Sequence, residues 1–329
     1  MVLSIHNFEK ITQTISYAML GIIPFVVGVC QRRITQETSG YRKEGMGEME
    51  IRTDLALESR EGVASSLDVK RDVICSSVEK LQGIKVSTVE IASEKAQKLM
   101  GKPMGTYVTI EGQPVTEQEE SYGELLSKEL SLVLEKLLTK YKVSSALVVG
   151  LGNRMVTPDA LGPRTLDYLD INRHLDEEYP ITVSAIVPGV MAQTGMETAE
   201  IVQGIVKETK PELVVVVDAL AARNAKRLGC TIQLSDTGIC PGSGVGNHRN
   251  AINKETLGVH VISIGVPTVI DARTIVSDAV GDFHGKHEER YEELSRWFVT
   301  PKDIDESIQL LSRILADGIN RAFSGNKTS

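Results

Sequence analysis

Two aspartates follow two apolar, β-branched runs, and a carboxylate pair is the smallest equipment for acid/base hydrolysis. Asp159 lies in Thr157-Pro-Asp-Ala-Leu-Gly-Pro163, shortly after Ala146-Leu-Val-Val-Gly-Leu-Gly-Asn153. Asp218 ends Leu213-Val-Val-Val-Val-Asp218 and opens Asp218-Ala-Leu-Ala-Ala-Arg223. Taken singly, each reads equally as a helix cap worth about 1 kcal/mol. Together at two strand ends they favour a site, because ligands of open α/β sheets bind beyond the carboxyl ends of the strands. Close like charges cannot both ionise easily, so such a pair splits into one acid and one base. The sequence does not assign the two roles.

The surrounding pattern supplies elements to hold the pair. Strands are expected over 83–91, 106–110, 146–149, 181–187, 213–217, 230–234 and 259–264, the sixth of them at a sheet edge. Helices are expected over 94–100, 117–141, 159–171, 195–207, 268–280 and 303–323. Short apolar strands alternating with helices predict an α/β fold with a mostly parallel sheet covered on both faces. Extra N-terminal strands and an edge strand with a loop insertion complete the expectation. The polar run 281–290 reads as a mobile loop.

Composition and motifs exclude several classes. The formal net charge of −8 disfavours direct nucleic-acid binding, which needs a basic face. Cys30, Cys75, Cys230 and Cys240 have no CxxC spacing, so neither a zinc site nor a disulfide framework is indicated. There is no Gly-x-Ser-x-Gly, no HExxH and no cysteine paired with a histidine motif. Gly150-Leu-Gly152-Asn153 has Met155 where a dinucleotide fingerprint needs its third glycine. Gly242-Ser-Gly244-Val-Gly246 lacks the Lys-Ser/Thr ending of a phosphate loop but could form a nest of backbone N–H groups. No metal and no cofactor are expected. His284 and His287 read as a solvated surface, and His248 and His260 enter only a rival, metal-assisted reading. A non-catalytic nucleotide- or small-ligand-binding α/β module is the rival from another class.

The first 48 residues differ in texture. Ala18–Cys30 is apolar but only 13 residues long and contains Pro24, too short for a membrane span of about 20 residues. Lys43-Glu-Gly45, just before Met46 and Met49, fits the codons of a ribosome-binding sequence read in frame. Residues 1–48 are therefore expected to be an upstream extension or propeptide, disordered or not native. Residues 49–329 form the expected single α/β domain.

Seven ordered blocks resemble the germination protease family: Ile51–Ala56, Val148–Asn153, Thr157–Pro163, Val187–Met191, Thr194–Thr198, Val217–Arg223 and Asp236–Asn247. The resemblance implies a fold related to the hydrogenase-maturation endopeptidases and an aspartic-type peptidase with Asp159 and Asp218 as catalytic residues. It also implies small acid-soluble spore proteins as substrates, cut after Glu or Asp and before an apolar residue. Members are homotetrameric, self-processing zymogens of the developing spore, so a cytoplasmic, spore-core location is implied. Thr53-Asp54-Leu55-Ala56 resembles the substrate site, which implies self-processing between Asp54 and Leu55, with a zymogen segment up to about residue 54. Val89–Glu94 resembles it too, although it reads as a buried strand. Recognition of an acidic residue requires a cation. Arg154, Arg164, Arg223, Arg227 and Arg249 are candidates, Arg223 first for its closeness to Asp218; Gly242 and Gly244 are candidates for substrate contact.

Overall fold

The computed structural model describes residues 53–63, 72–115, 120–242, 249–280, 293–294 and 296–325. The expected extension 1–48, the loop 281–290, Gly244, Gly246 and His248 lie outside them. The described residues belong to one compact unit, Ile51–Ser329.

In chain order the elements are α1 (Ala56–Gly62), β1 (Val73–Glu79), β2 (Lys85–Ile91), α2 (Glu94–Met100), β3 (Gly105–Glu111), α3 (Glu120–Leu138) and β4 (Ser145–Gly150). Next come α4 (Leu161–Thr165), β5 (Thr182–Ile186), α5 (Met191–Thr194), α6 (Thr198–Thr209), β6 (Leu213–Ala222) and β7 (Thr231–Ser235). The chain continues with α7 (Lys254–Leu257), β8 (His260–Asp271), α8 (Ala272–Val280), β9 (Phe298–Val299) and α9 (Ile304–Ser324). Among the described residues the strands form one sheet of order β1-β2-β3-β7-β8-β6-β4-β5, with β9 pairing β8.

The sheet has two halves. β5, β4, β6 and β8 are parallel neighbours. β1, β2, β3 and β7 join antiparallel, and β7 meets β8 antiparallel. The fold is the expected α/β sheet with extra N-terminal strands.

Period-two alternation sorts the core between two faces. Ala146, Val148, Val215, Val217, Ile232, Leu234, Ile262 and Ile264 pack against α3 and α9 on the first face. Leu147, Val149, Val214, Val216 and Val261 pack against α6 and α7 on the second. Farther along that second face, α1 and α2 cover Val89, Ile91 and Tyr107.

Several elements depart from the sequence reading. β7 is interior, between β3 and β8, rather than at an edge. Its antiparallel partner β3 lies more than a hundred residues earlier, and no local pattern announces that pairing. β1 is an additional strand. The helix expected over 159–171 is broken into a 3-10 turn at Thr157–Asp159, α4 and a second 3-10 turn at Leu166–Tyr168. Close packing sets α4's course: a Cβ at Gly162 would come within 2.4 Å of the carbonyl oxygens of Leu151 and Val217. The helix expected over 195–207 is α6, which begins only at Thr198, because Gly195 in the left-handed region ends the short α5 before it. β8 runs on through Thr268–Asp271, where a helix was expected, and β6 runs on past Asp218 to Ala222, because the two strands pair over that stretch.

Candidate active site

β4 ends where β6 does not. Gly150, the last paired residue of β4, faces Val217, so Asp218 is the first residue of β6 beyond its neighbour's end. Val215 and Val217 point to the first face, so alternation turns Asp218 to the second. There it is buried, at 7% exposure, and its carboxylate accepts the N–H of Ala219 at 2.9 Å.

Asp159 reaches the same place by a tight route. Leu151 N–H donates to Val217 C=O at 2.8 Å, which carries the chain from β4 across the end of β6. Gly152 then takes φ +112°, and a Cβ there would lie 2.0 Å from the carbonyl oxygen of Asp159. Only glycine allows this approach. The Asp159 carboxylate accepts the N–H of Asn153 at 2.7 Å. From the other side Thr268 donates its hydroxyl to Pro158 C=O at 2.8 Å. Thr268 sits at a register shift between β6 and β8, where β8 carries one extra residue. Bulges of this kind re-aim side chains next to sites.

Both aspartates line one cavity of about 410 Å³ on the second face, beside the start of α6. Burial pushes the Asp218 carboxyl well above the usual range, and the charges of Asp159 and Asp54 push it further. Burial also raises Asp159, but the Asn153 N–H and the Arg249 cation oppose the rise. The two carboxyls therefore sense one another, and both are raised, Asp218 the more strongly, so the pair holds its protons unequally.

The third carboxylate belongs to Asp54, which lines the same cavity. Thr53–Ala56 lies along the extension of β6. Asp54 N–H donates to Ala221 C=O at 2.9 Å, and Ala221 N–H donates back to the Asp54 carboxylate at 2.9 Å. Leu55 is fully buried against Leu220, Ala222 and Ile239. Gln233, on the second face of β7, donates to Asp54 C=O at 3.1 Å and accepts Ala56 N–H at 2.7 Å. Lys102 donates to Thr53 C=O at 2.9 Å. The Thr53 hydroxyl donates to buried Glu58, which also accepts the N–H groups of Arg223 and Asn224 and pairs with Arg227 at 3.3 Å.

The other candidates divide. Arg249 and Gly242 line the cavity, and Arg249 acts on both aspartates. Arg223 does not line it; its guanidinium pairs with Asp278 at 2.9 Å on α8. Closeness in sequence misleads here, because successive residues of an extended chain point to opposite faces. Gly244 is outside the described residues. The first half of Val89–Glu94 lies in β2, hydrogen-bonded between β1 and β3, and Glu94 begins α2. His260 begins β8 at the far end of the sheet, stacked on Tyr141 at 3.9 Å, and cannot join the aspartates. Among the described residues no group of three His, Cys, Asp or Glu is arranged to hold a metal ion. The Gly150–Asn153 turn has its Asn153 N–H engaged by Asp159, so a phosphate would have to compete with a carboxylate there. Lys102 and Gln233 escaped the sequence reading altogether. Their partners lie 49 and 179 positions away, and neither residue belongs to a motif.

The sequence model described as Germination protease matches residues 50–296, which include Asp54, Asp159, Asp218 and Arg249. The chain belongs to the germination protease family. It is 43% identical over 314 residues to the germination protease of Caldanaerobacter subterraneus subsp. tengcongensis, covering 84% of this chain and 95% of that protein. It is 50% identical over 256 residues to the one of a Geobacillus strain (72% and 68% covered), and 47% identical over 251 residues to the one of Bacillus subtilis (72% and 67%). Among solved structures it is similar to the [NiFe] hydrogenase maturation protease HycI of Thermococcus kodakarensis KOD1. That similarity has 20% identity and a TM-score of 0.29, and covers 56% of this chain and 98% of that one. Membership of the germination protease family makes this chain a protease with a role in germination. Among the described residues no helix is long and apolar enough to cross a membrane.

Proposed function

We propose that this protease starts the degradation of small acid-soluble spore proteins, cutting after Glu or Asp and before an apolar residue, by aspartate acid/base hydrolysis. In the same reading it is made as a homotetrameric zymogen in the developing spore and first opens its own chain between Asp54 and Leu55. One observation carries the reading. Asp54, which precedes the bond that has the sequence of a substrate bond, lines the cavity that Asp159 and Asp218 also line.

The chemistry follows from the two environments. Asp159, as the carboxylate, takes a proton from water while the water oxygen bonds to the carbonyl carbon. Asp218, carrying its proton, donates to the carbonyl oxygen. The tetrahedral centre then collapses: the C–N bond breaks, the leaving nitrogen takes the proton held by Asp159, and as the C=O re-forms one hydroxyl of the centre returns its proton to Asp218. One water is consumed, one carboxylic acid and one amine are formed, and both aspartates return to their starting states. The Arg249 cation acts on both aspartates and opposes the rise in each.

The bound segment also supports the zymogen. Thr53–Ala56 lies along the wall of the cavity, bonded to Ala221 and Gln233, so a peptide laid in the same place would have to displace it. The test is to incubate the full chain and map its new N-terminus by mass spectrometry. A new terminus at Leu55, absent from Asp218→Asn, is the expected result. A folded, wild-type chain that never opens there contradicts the self-processing reading. The tetramer rests on family resemblance and is checked by light scattering, where a monomeric mass would overturn it.

A further inference from the structure

The segment beside the cavity is held by two side chains with different chemistry. Gln233 is buried on β7, and its amide spans the Asp54–Leu55 bond. Nε2 donates to the carbonyl of that bond, and Oε1 accepts the N–H one residue beyond it. These contacts are to backbone alone, so any peptide laid in this register would receive them. Nε2 also points at the oxygen on which negative charge develops when the carbonyl is attacked.

Lys102 stands between the end of α2 and the start of β3, reaching the segment from the antiparallel half of the sheet. Its ammonium holds Thr53 C=O, and the charge of Asp54 acts on it more strongly than those of Cys240 and Glu58. The neighbouring arginines are engaged elsewhere: Arg249 acts on Asp159 and Asp218, Arg223 pairs with Asp278, and Arg227 pairs with Glu58, Glu61 and Glu111.

We propose that Lys102 is the residue that selects an acidic side chain before the cut, and that Gln233 is a catalytic residue holding the scissile carbonyl. The proposal rests on the reading that Asp54–Leu55 is cut in this cavity. It assigns to Lys102 the role that sequence order gives to Arg223. It also divides the labour, with Gln233 indifferent to side chains and Lys102 reading one of them.

The test is the first-order rate at which the full chain opens its Asp54–Leu55 bond, read by mass spectrometry. Asp54 and Asp54→Asn chains are compared in three backgrounds: Lys102, Lys102→Gln and Lys102→Arg. Glutamine keeps a donor for Thr53 C=O and removes the charge; arginine keeps both. The Asp/Asn rate ratio is expected to fall about tenfold in Lys102→Gln, the loss of one charge contact, and to survive in Lys102→Arg. An unchanged ratio in Lys102→Gln overturns the role of Lys102. Gln233→Leu is expected to slow both chains about a hundredfold with the ratio preserved. A Gln233→Leu chain that opens at the wild-type rate overturns the role of Gln233. Thermal melts accompany each variant, and if Gln233→Leu does not fold, Gln233→Met is read in its place. A wild-type chain that does not open at all defeats the underlying cleavage reading, an outcome distinct from either variant result.

Discussion

The two halves of the sheet do different work in the cavity. The parallel half supplies the aspartates, and it fixes them through backbone: the end of β4, the strained Gly152 turn, the Asn153 N–H and the bulge that carries Thr268. The antiparallel half supplies Gln233 and Lys102, long side chains that reach a peptide which must later leave. In the proposed reading the catalysts are held by groups that cannot move without unpacking the core, and the substrate-like segment by groups that can let go. The lesson is one of rigidity placed where geometry matters to the reaction, because misplacement of a catalytic group by about 1 Å can cost a hundredfold in rate.

Breaking the rigid half should have the largest effect. Gly152→Ala puts a Cβ against the Asp159 carbonyl at a positive φ that only glycine adopts freely. Peptide cleavage should fall about a hundredfold or more while circular dichroism stays near wild type. Normal activity in this variant would show that the turn does not position Asp159.

Loosening the replaceable half should act on the segment rather than on the catalysts. Leu55→Ala removes a fully buried side chain, which in a core costs about 2–5 kcal/mol. Hydrogen exchange should report faster opening of the Asp54 and Leu55 amides, with the amides of β4 and β6 unchanged. Equal loosening of β4 and β6 would erase the distinction between the halves.

A smaller effect concerns pH. The Asp218 pKa is raised in the folded protein, so its protonated form is favoured by folding. Its contribution to stability is complete below the ordinary carboxylate value of about 4 and is lost as pH rises toward the folded value. Asp218→Asn mimics the protonated group at every pH. Its stability relative to wild type, from urea melts, should therefore improve as pH rises across that window. A constant difference would mean that Asp218 is not held protonated by its surroundings.

The smallest effect is expected at Arg223. Its guanidinium forms an exposed pair with Asp278, worth about 0–1 kcal/mol, away from the cavity lining. Arg223→Ala should leave the preference for an acidic residue intact when Glu- and Gln-containing peptides are compared. Loss of that preference would move recognition from Lys102 to Arg223.

The contrast between the halves also explains what the sequence revealed. β4 and β6 carry runs of buried aliphatics, with Asp159 just past the turn that follows β4 and Asp218 ending the valine run of β6, so strand and carboxylate could be read together. The parallel half is local in this sense: strand, turn and catalyst follow within about ten residues. β7 looked like an edge because its neighbours β3 and β8 come from distant parts of the chain. Gln233 then looked like one polar residue in a strand, and Lys102 like a charge in a Gly-Lys-Pro turn. Their meaning arises only when the fold brings Thr53–Ala56 between them. Asp218 was read as a strand end, yet β6 continues for four more residues; pairing with β8 sustains it where β4 has stopped.

The central claim is that Asp159 and Asp218 act as one acid/base unit. Its most direct measurement is kcat/KM on a Thr-Glu-Ile-Ala peptide for Asp159→Asn, Asp218→Asn and the double variant, each shown to be folded. General acid/base groups contribute about 10²–10⁴-fold each, and residues that act as a unit are not additive. Each single variant should lose at least about a hundredfold, and the double variant should lose little more than the worse of the two. A single variant that cleaves within a fewfold of wild type would reduce that aspartate to a structural residue and contradict the account.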